Sequence, residues 1–168
     1  MSEIDQNTLA ALGAFPDLLA VAYAAVPMDR KNWRPASWDG IPSERLTAIE
    51  QVCHVYDIEV DGYHVRFHRT LTEDKPVLPD LGGELLAEAR SYSTADAVEV
   101  LAKFKIARAK TMRVVSALTA EQLDRVAIFE NRPTTLRGLV HFLCSHDFQH
   151  LAGLQWLIAM MSQRRGNN

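Results

Sequence analysis

The chain has 168 residues, of which 48% are hydrophobic and 23% are charged, a composition that is typical of a globular protein and argues against disorder. Its 18 basic and 21 acidic residues give a net charge of −3, which argues against general binding to nucleic acid. Two cysteines are too few for a disulfide framework, and the longest apolar run, 18–28, is too short to span a membrane. We therefore expect one cytoplasmic domain over 1–168, with neither nucleic acid nor membrane as a partner.

The first half of the chain contains two helical patterns. Apolar residues recur at three- and four-residue spacing over about 4–26, which predicts the first helix, and Pro16 inside it predicts a kink or a break. A loop that contains Trp33 and Trp38 follows. The same apolar spacing then predicts a second helix over about 43–71, with Ser43 as its N-cap.

The next part of the chain begins with a break in the helical pattern. Proline and glycine residues over 75–83 predict a loop, and a short helical segment is expected over 83–90. A third long helix is predicted over 94–118. The sequence Thr119-Ala-Glu-Gln then matches the capping-box pattern that opens a helix, which predicts a short further one.

The last helix is predicted to begin at Thr134 or Thr135 and to run to about Gln163. Arg164, Arg165 and Gly166 are the signals for its end. No segment shows the strict alternation of apolar and polar residues, bounded by hairpin turns, that is typical of a strand. Four long amphipathic helices predict an all-α four-helix bundle, with long connections between the helices.

The apolar stripe of the last helix contains two histidines where the pattern requires core residues. His146 and His150 are four residues apart, so their side chains are neighbours on one helix face and can each offer a nitrogen atom to one ion. A single buried histidine is more often a hydrogen-bonded core residue than a ligand. Without an ion, two buried histidines would each need hydrogen-bond partners of their own, so the pair favours a metal.

A third ligand is expected on the second helix, where a polar stripe lies at the edge of the predicted core. His54 is its most inward histidine, and the spacing alone allows it to be either a ligand or a residue at the edge of the core. His64 and His68 lie further along the helix among arginines. We expect both of them in solvent.

These residues together resemble the DinB/YfiT-like metal-binding superfamily. The pattern consists of His54-x-x-Asp57-x-Glu59 on the second helix and His146-Asp147-x-x-His150 on the last, with Trp33-Arg34-Pro35 and Trp38 in the preceding loop. The resemblance covers roughly 9–160. It implies a four-helix bundle with one divalent ion, usually zinc or nickel, held by His54, His146 and His150.

The resemblance also carries expectations about activity and assembly. Members commonly form homodimers, and characterised ones include S-transferases and isomerases that use a low-molecular-weight thiol such as mycothiol or bacillithiol. Many members have glutamine where this chain has Gly153, and many have a further histidine one turn before the pair. His141 lies five residues before His146, on a different side of the helix, so we exclude it as a ligand.

Three neutral imidazoles would leave an open position on the ion, as in catalytic zinc sites. Such an ion lowers the pKa of a bound thiol or water, which predicts a metal-dependent S-transferase or hydrolase acting on a small molecule. The alternative is a non-catalytic metal-binding protein, or a stress-related binding protein, with the same fold.

Four further positions have weaker signals. Asp57 could orient a ligand imidazole or face solvent, and the spacing does not choose between the two. Asp147 is expected in surface salt bridges and Glu59 in a structural role. Lys105 and Arg108 lie close to the inward stripe of the third helix, where they could meet an anionic substrate or thiol.

Overall fold

The computed structural model describes residues 4–163, and most of them are helical. The long helices and the smaller elements between them are α1 (Gln6–Ala24), α2 (Ala48–Asp57), a π-helical segment (Ile58–His64), α3 (Val65–Thr72), α4 (Gly83–Ala89), α5 (Ala97–Ser116), α6 (Ala120–Leu123), β1 (Val126–Phe129), β2 (Arg132–Thr135) and α7 (Leu136–Gln163). The π-helical segment joins α2 and α3 into one continuous rod.

The predicted four-helix bundle is confirmed. Helix α1 packs against α5 and α7, and α2 also packs against α5 and α7, so the four long rods enclose one interior. Phe15 of α1 and Phe104 of α5 meet edge to face in it, with their ring centroids 5.9 Å apart. Leu143 and Leu154 of α7 are completely or almost completely buried there.

Helix α1 is the only helix in 4–163 that is long and apolar enough to cross a membrane by length and composition. Its Leu12, Phe15 and Leu19 are buried in the bundle, which is how the core helix of a globular protein is built. Of the two outcomes predicted for Pro16, a kink or a break, the break is wrong, because α1 is continuous through that residue.

The start of the second rod corrects the predicted cap. Helix α2 begins at Ala48 with Thr47 as its N-cap, and the Thr47 backbone N–H donates to the Glu50 carboxylate at 2.8 Å. Ser43 lies in the preceding loop instead, where its hydroxyl contacts the Gln51 side chain. The short helix α4 and the capping box at Thr119 are both confirmed.

A two-stranded hairpin, not predicted from the sequence, leads into α7. Strands β1 and β2 are antiparallel, with Val126 opposite Thr135, and the turn residues Glu130 and Asn131 have φ values of 49° and 60°. Glu130-Asn131 lacks the glycine that usually marks such a turn, and four residues a strand are too few to show alternation. Because Thr134 and Thr135 belong to β2, α7 begins at Leu136, and the predicted end signals 164–166 lie outside the described residues.

The π-helical segment changes which side chains face inward. A π-helical turn contains more residues than an α-helical one. Apolar residues spaced for an α-helix therefore do not stay on one face within this segment. Val60, expected in that stripe, is half-buried, whereas Glu59 is completely buried. Tyr63 and Phe67 return to the core where the α-helix resumes.

Glu59 belongs to a buried ion cluster with Arg108 of α5 and Asp147 of α7. All five N–H donors of Arg108 are used: two donate to Glu59 at 3.0 and 2.9 Å, two to Asp147 at 2.6 and 3.0 Å, and one to the Leu12 carbonyl at 3.0 Å. Burial is the largest influence on the Arg108 pKa and lowers it, but the two carboxylates outweigh burial and raise it. The cluster therefore ties α1, the π-helical segment, α5 and α7 together.

This cluster corrects two expectations from the sequence. Asp147 does not form surface salt bridges, because its side chain is 2% exposed and lies between α7 and α5. Arg108 is committed to protein carboxylates and has no donor left for a substrate. Lys105 pairs with Asp17 at 2.8 Å on the exposed surface, and the structural role expected for Glu59 is confirmed.

Candidate metal centre

Three imidazoles and one carboxylate meet at one point inside the bundle. They belong to His54 of α2, to His146 and His150 of α7, and to Glu44 of the loop before α2, and their ligand atoms all lie within 4.8 Å of one another. The Nε2 atom of His146 lies 3.3 Å from that of His54 and 3.1 Å from that of His150. The three histidines expected from the sequence thus share one centre.

Glu44 is the member of this group that the sequence did not predict. Its Oε1 lies 3.2 Å from Nε2 of His54, and its Oε2 lies 3.2 Å from Nε2 of His150. The Glu44 side chain is 37% exposed, whereas those of His54 and His150 are fully buried. Glu44 lies in the loop before α2, so the helical spacing of residues could not have identified it.

Burial sets the protonation of His146 and His150. It lowers the pKa of His146 well below its ordinary value, and the nearby His150 and His54 add to this effect. Burial is also the largest cause of the lowered pKa of His150. Both imidazoles are therefore neutral at pH 7, which is the form that binds a cation.

Glu44 carries the opposite charge to a bound cation. Burial by itself raises the Glu44 pKa, but the adjacent side chains of His150 and His54 outweigh burial and hold that pKa below its usual value. Glu44 is therefore ionised at neutral pH. A carboxylate beside three imidazole side chains makes this centre attractive to a divalent ion.

Gln51 orients His150. Its amide nitrogen donates to the Ser43 hydroxyl at 2.8 Å and to the Leu46 carbonyl at 3.3 Å, so its amide oxygen faces Nδ1 of His150. Because a carbonyl only accepts hydrogen bonds, Nδ1 of His150 must carry the proton. The lone pair on Nε2 of His150 then points at the shared centre, as a metal ligand requires.

Two glycines allow this packing. A Cβ atom at Gly153 would lie 2.3 Å from Oγ of Ser43 and 2.9 Å from Nε2 of Gln51, so a side chain there would displace the group that orients His150. A Cβ atom at Gly83 would lie 2.9 Å from Cε1 of His54. Gly153, a departure from the family pattern, is thus required by the packing of this chain.

Replacing Gln51 with leucine is expected to weaken metal binding. The change keeps a side chain of similar size but removes the acceptor that fixes His150, and loss of such a partner typically costs about 10- to 100-fold in metal affinity. Competition with a chromophoric chelator measures that affinity. A Gln51→Leu protein that binds zinc as tightly as the wild type would show that this hydrogen bond does not orient a ligand.

The centre opens into a cleft of about 370 Å³. His54, His146 and Glu44 lie in its wall, beside residues of the π-helical segment, α3, the 80–81 loop, the hairpin and α7. A volume of this size accommodates a small molecule. A group bound in the cleft would therefore lie beside the three imidazoles.

Three other residues singled out in the sequence lie away from the centre. Asp57 is buried, accepts a hydrogen bond from the Tyr92 hydroxyl and pairs with Arg90 at 2.7 Å, so it neither orients an imidazole nor faces solvent. His64 is half-buried against Thr111 of α5 at 3.0 Å, contrary to expectation. His68 is exposed, as predicted.

Comparison with solved structures supports the bundle. The structure of YfiT from Bacillus subtilis, described as a probable metal-dependent hydrolase with an unusual four-helix bundle topology, is similar with a TM-score of 0.79. The two sequences are 22% identical, and the match covers 95% of this chain and 86% of YfiT. At this identity the likeness shows a shared fold.

Comparison of the sequences assigns the family. No curated protein sequence matches this chain. The family model of the DinB superfamily matches residues 10–154, a span that begins within α1, includes all four residues of the centre and ends within α7. The chain therefore belongs to the DinB superfamily.

Proposed function

We propose that this protein is a divalent-metal-dependent enzyme that activates a thiol or a water molecule, as an S-transferase or a hydrolase. The observation that carries the proposal is the convergence of three imidazole Nε2 atoms on one centre, where His54 and His146 also lie in the wall of a cleft. His54, His146 and His150 would hold the ion, and zinc or nickel suits imidazole ligands. A divalent ion held there supplies Lewis acidity, which makes a thiol or water nucleophilic near neutral pH.

The residues present fit such an ion. With the His150 proton fixed on Nδ1, its Nε2 lone pair faces the Nε2 atom of His146 at 3.1 Å, and the Nδ1 atoms of His54 and His146 have no hydrogen-bond partner in 4–163. Buried imidazoles whose nitrogen atoms meet in this way are poorly satisfied by one another. A shared cation would bind all three Nε2 atoms.

Within this proposal, Glu44 takes the proton that the thiol or water loses. Its two carboxylate oxygens lie beside the imidazoles, and Glu44 also lines the cleft and is partly exposed. Its position beside the ion that the histidines would hold is the basis for assigning it as the general base. The description of YfiT as a probable metal-dependent hydrolase agrees with water as the activated group.

Replacing Glu44 with glutamine is expected to remove activity but not the metal. A general base typically contributes about 10²- to 10⁴-fold to the rate, and glutamine cannot accept the proton. Elemental analysis measures the metal, and turnover is measured by conjugation of thiols to an electrophile and by ester hydrolysis. Glu84→Gln, on the exposed start of α4, is the matched control and should retain both. Full turnover by Glu44→Gln would contradict the role proposed for Glu44.

The second candidate function is metal binding without catalysis. It is favoured by one observation, the position of Glu44, because a fourth protein ligand would close a tetrahedral site as in structural zinc proteins. Cobalt substitution separates the two functions. A change in the cobalt spectrum on addition of thiols or small anions supports the enzyme, and a spectrum that none of them alters supports the closed, non-catalytic site.

A further inference from the structure

The wall of the cleft contains a second charged group, the guanidinium of Arg66. Arg66 belongs to α3 and is only 3% exposed, yet it lines the same cleft as His54 and His146. Its guanidinium carbon lies 4.8 Å from the ring centroid of Tyr63 and 4.4 Å from that of Phe129. Two aromatic faces and the helix thus hold the group in place.

Arg66 has no carboxylate partner among residues 4–163. Its Nε and Nη2 atoms both donate to the carbonyl oxygen of Pro79, at 3.1 and 3.0 Å, and the Tyr63 side chain is a further hydrogen-bonding neighbour, so these partners do not take up all five N–H donors of the guanidinium. Asp80 and Glu130 act on it only through longer-range electrostatics, and both lie at the exposed rim of the cleft. A buried cation without a paired anion is unusual, because desolvation of the charge is costly.

Arg108 shows how this fold treats a buried arginine with a purely structural role. There, two buried carboxylates and one carbonyl take up all five donors. Arg66 is buried to nearly the same extent, but its partners are one carbonyl oxygen and the Tyr63 side chain, with no carboxylate hydrogen-bonded to it. The difference is that Arg66 borders a cleft, from which a small anion can supply the missing acceptor.

We propose that Arg66 binds a carboxylate group of the substrate, so that the substrate class is a small organic carboxylate with an apolar body. The guanidinium fork matches the two oxygens of a carboxylate. The apolar body would lie against Phe129, Phe142 and Leu81, which line the same cleft. This inference rests on the proposed function, because it places the remainder of the substrate beside the histidine centre.

The test uses phenylacetate as the probe and phenylacetamide as its neutral counterpart. Calorimetric titration of the wild-type protein, zinc-loaded and metal-free, is expected to show phenylacetate binding about tenfold more tightly than the amide in both forms, since a charged hydrogen-bonded pair replaces a neutral one. Arg66→Gln should lose about tenfold in phenylacetate affinity and lose the preference for the acid. Arg69→Gln, on the same helix but exposed and paired with Glu73, should bind as the wild type does.

The outcomes separate this inference from the proposed function. If wild-type protein binds acid and amide equally, or if folded Arg66→Gln retains the preference for the acid, the inference is overturned even when zinc binds stoichiometrically. If the Arg66-dependent preference is present but no metal binds, the proposed function fails and the carboxylate subsite stands. The comparison of acid with amide on wild-type protein needs no variant, so it decides the question even if Arg66→Gln does not fold.

Discussion

His150→Ala is expected to reduce bound metal from about one ion per chain to a small fraction of that, with the helical content unchanged. His150 is fully buried, and its Nε2 atom points at the shared centre because Gln51 fixes the proton on Nδ1. Removing His150 removes the ligand whose orientation Gln51 fixes, so the ion should bind much more weakly. Alanine favours the helix, so α7 should persist. Elemental analysis measures the metal, and circular dichroism measures the helices.

The matched control for this experiment is His141→Ala. His141 lies on the same helix but is exposed and outside the centre, so its removal should leave the metal content unchanged. The two variants remove the same group from α7 and differ only in its position. Full metal content in His150→Ala would refute the assignment of the centre, as would an equal loss in both variants.

Arg108→Met is expected to destabilise the fold by about 3–5 kcal/mol, because it leaves the buried carboxylates of Glu59 and Asp147 without their cation. Urea unfolding followed by circular dichroism measures the free energy of unfolding. Lys105→Met on the same helix removes an exposed pair with Asp17, and its expected cost is at most about 1 kcal/mol.

A further variant separates loss of charge compensation from loss of packing. Neutralising both carboxylates together with the arginine, as Arg108→Met with Glu59→Gln and Asp147→Asn, should restore part of the lost stability, since no unpaired charge remains. If Arg108→Met were as stable as Lys105→Met, the ion cluster would not hold the four rods together.

The helices and the pair on α7 are visible in the sequence because their cause is local. Three- and four-residue spacing of apolar side chains follows from helix geometry, and His146 and His150 interrupt that spacing at two core positions. The bundle and half of the candidate centre therefore follow from short-range pattern. For His54 the spacing left two interpretations open, and the resemblance to the family favoured a ligand.

The features that the sequence did not predict depend on long-range packing. Asp147 was expected at the surface because it lies off the apolar stripe, but α7 is enclosed on more than one side, so Arg108 of α5 meets it there. The π-helical turn moves Glu59 inward by a change of backbone winding that apolar spacing does not show. The hairpin turn lacks its usual glycine.

The sequence alone determined the helical architecture of this protein and the presence of histidines suited to binding a metal. Both follow from periodicity and residue chemistry, which are properties of short segments. Only the tertiary structure decided that His54 lies 3.3 Å from His146, that Glu44 and Gln51 complete the centre, and that Arg66 faces the same cleft. These contacts join residues as far apart in the chain as Glu44 and His150, and the path of the loop before α2 sets the two contacts that Glu44 makes with histidines. Such distances depend on how whole helices and loops pack against one another, and the spacing of residues within a short segment does not determine that packing.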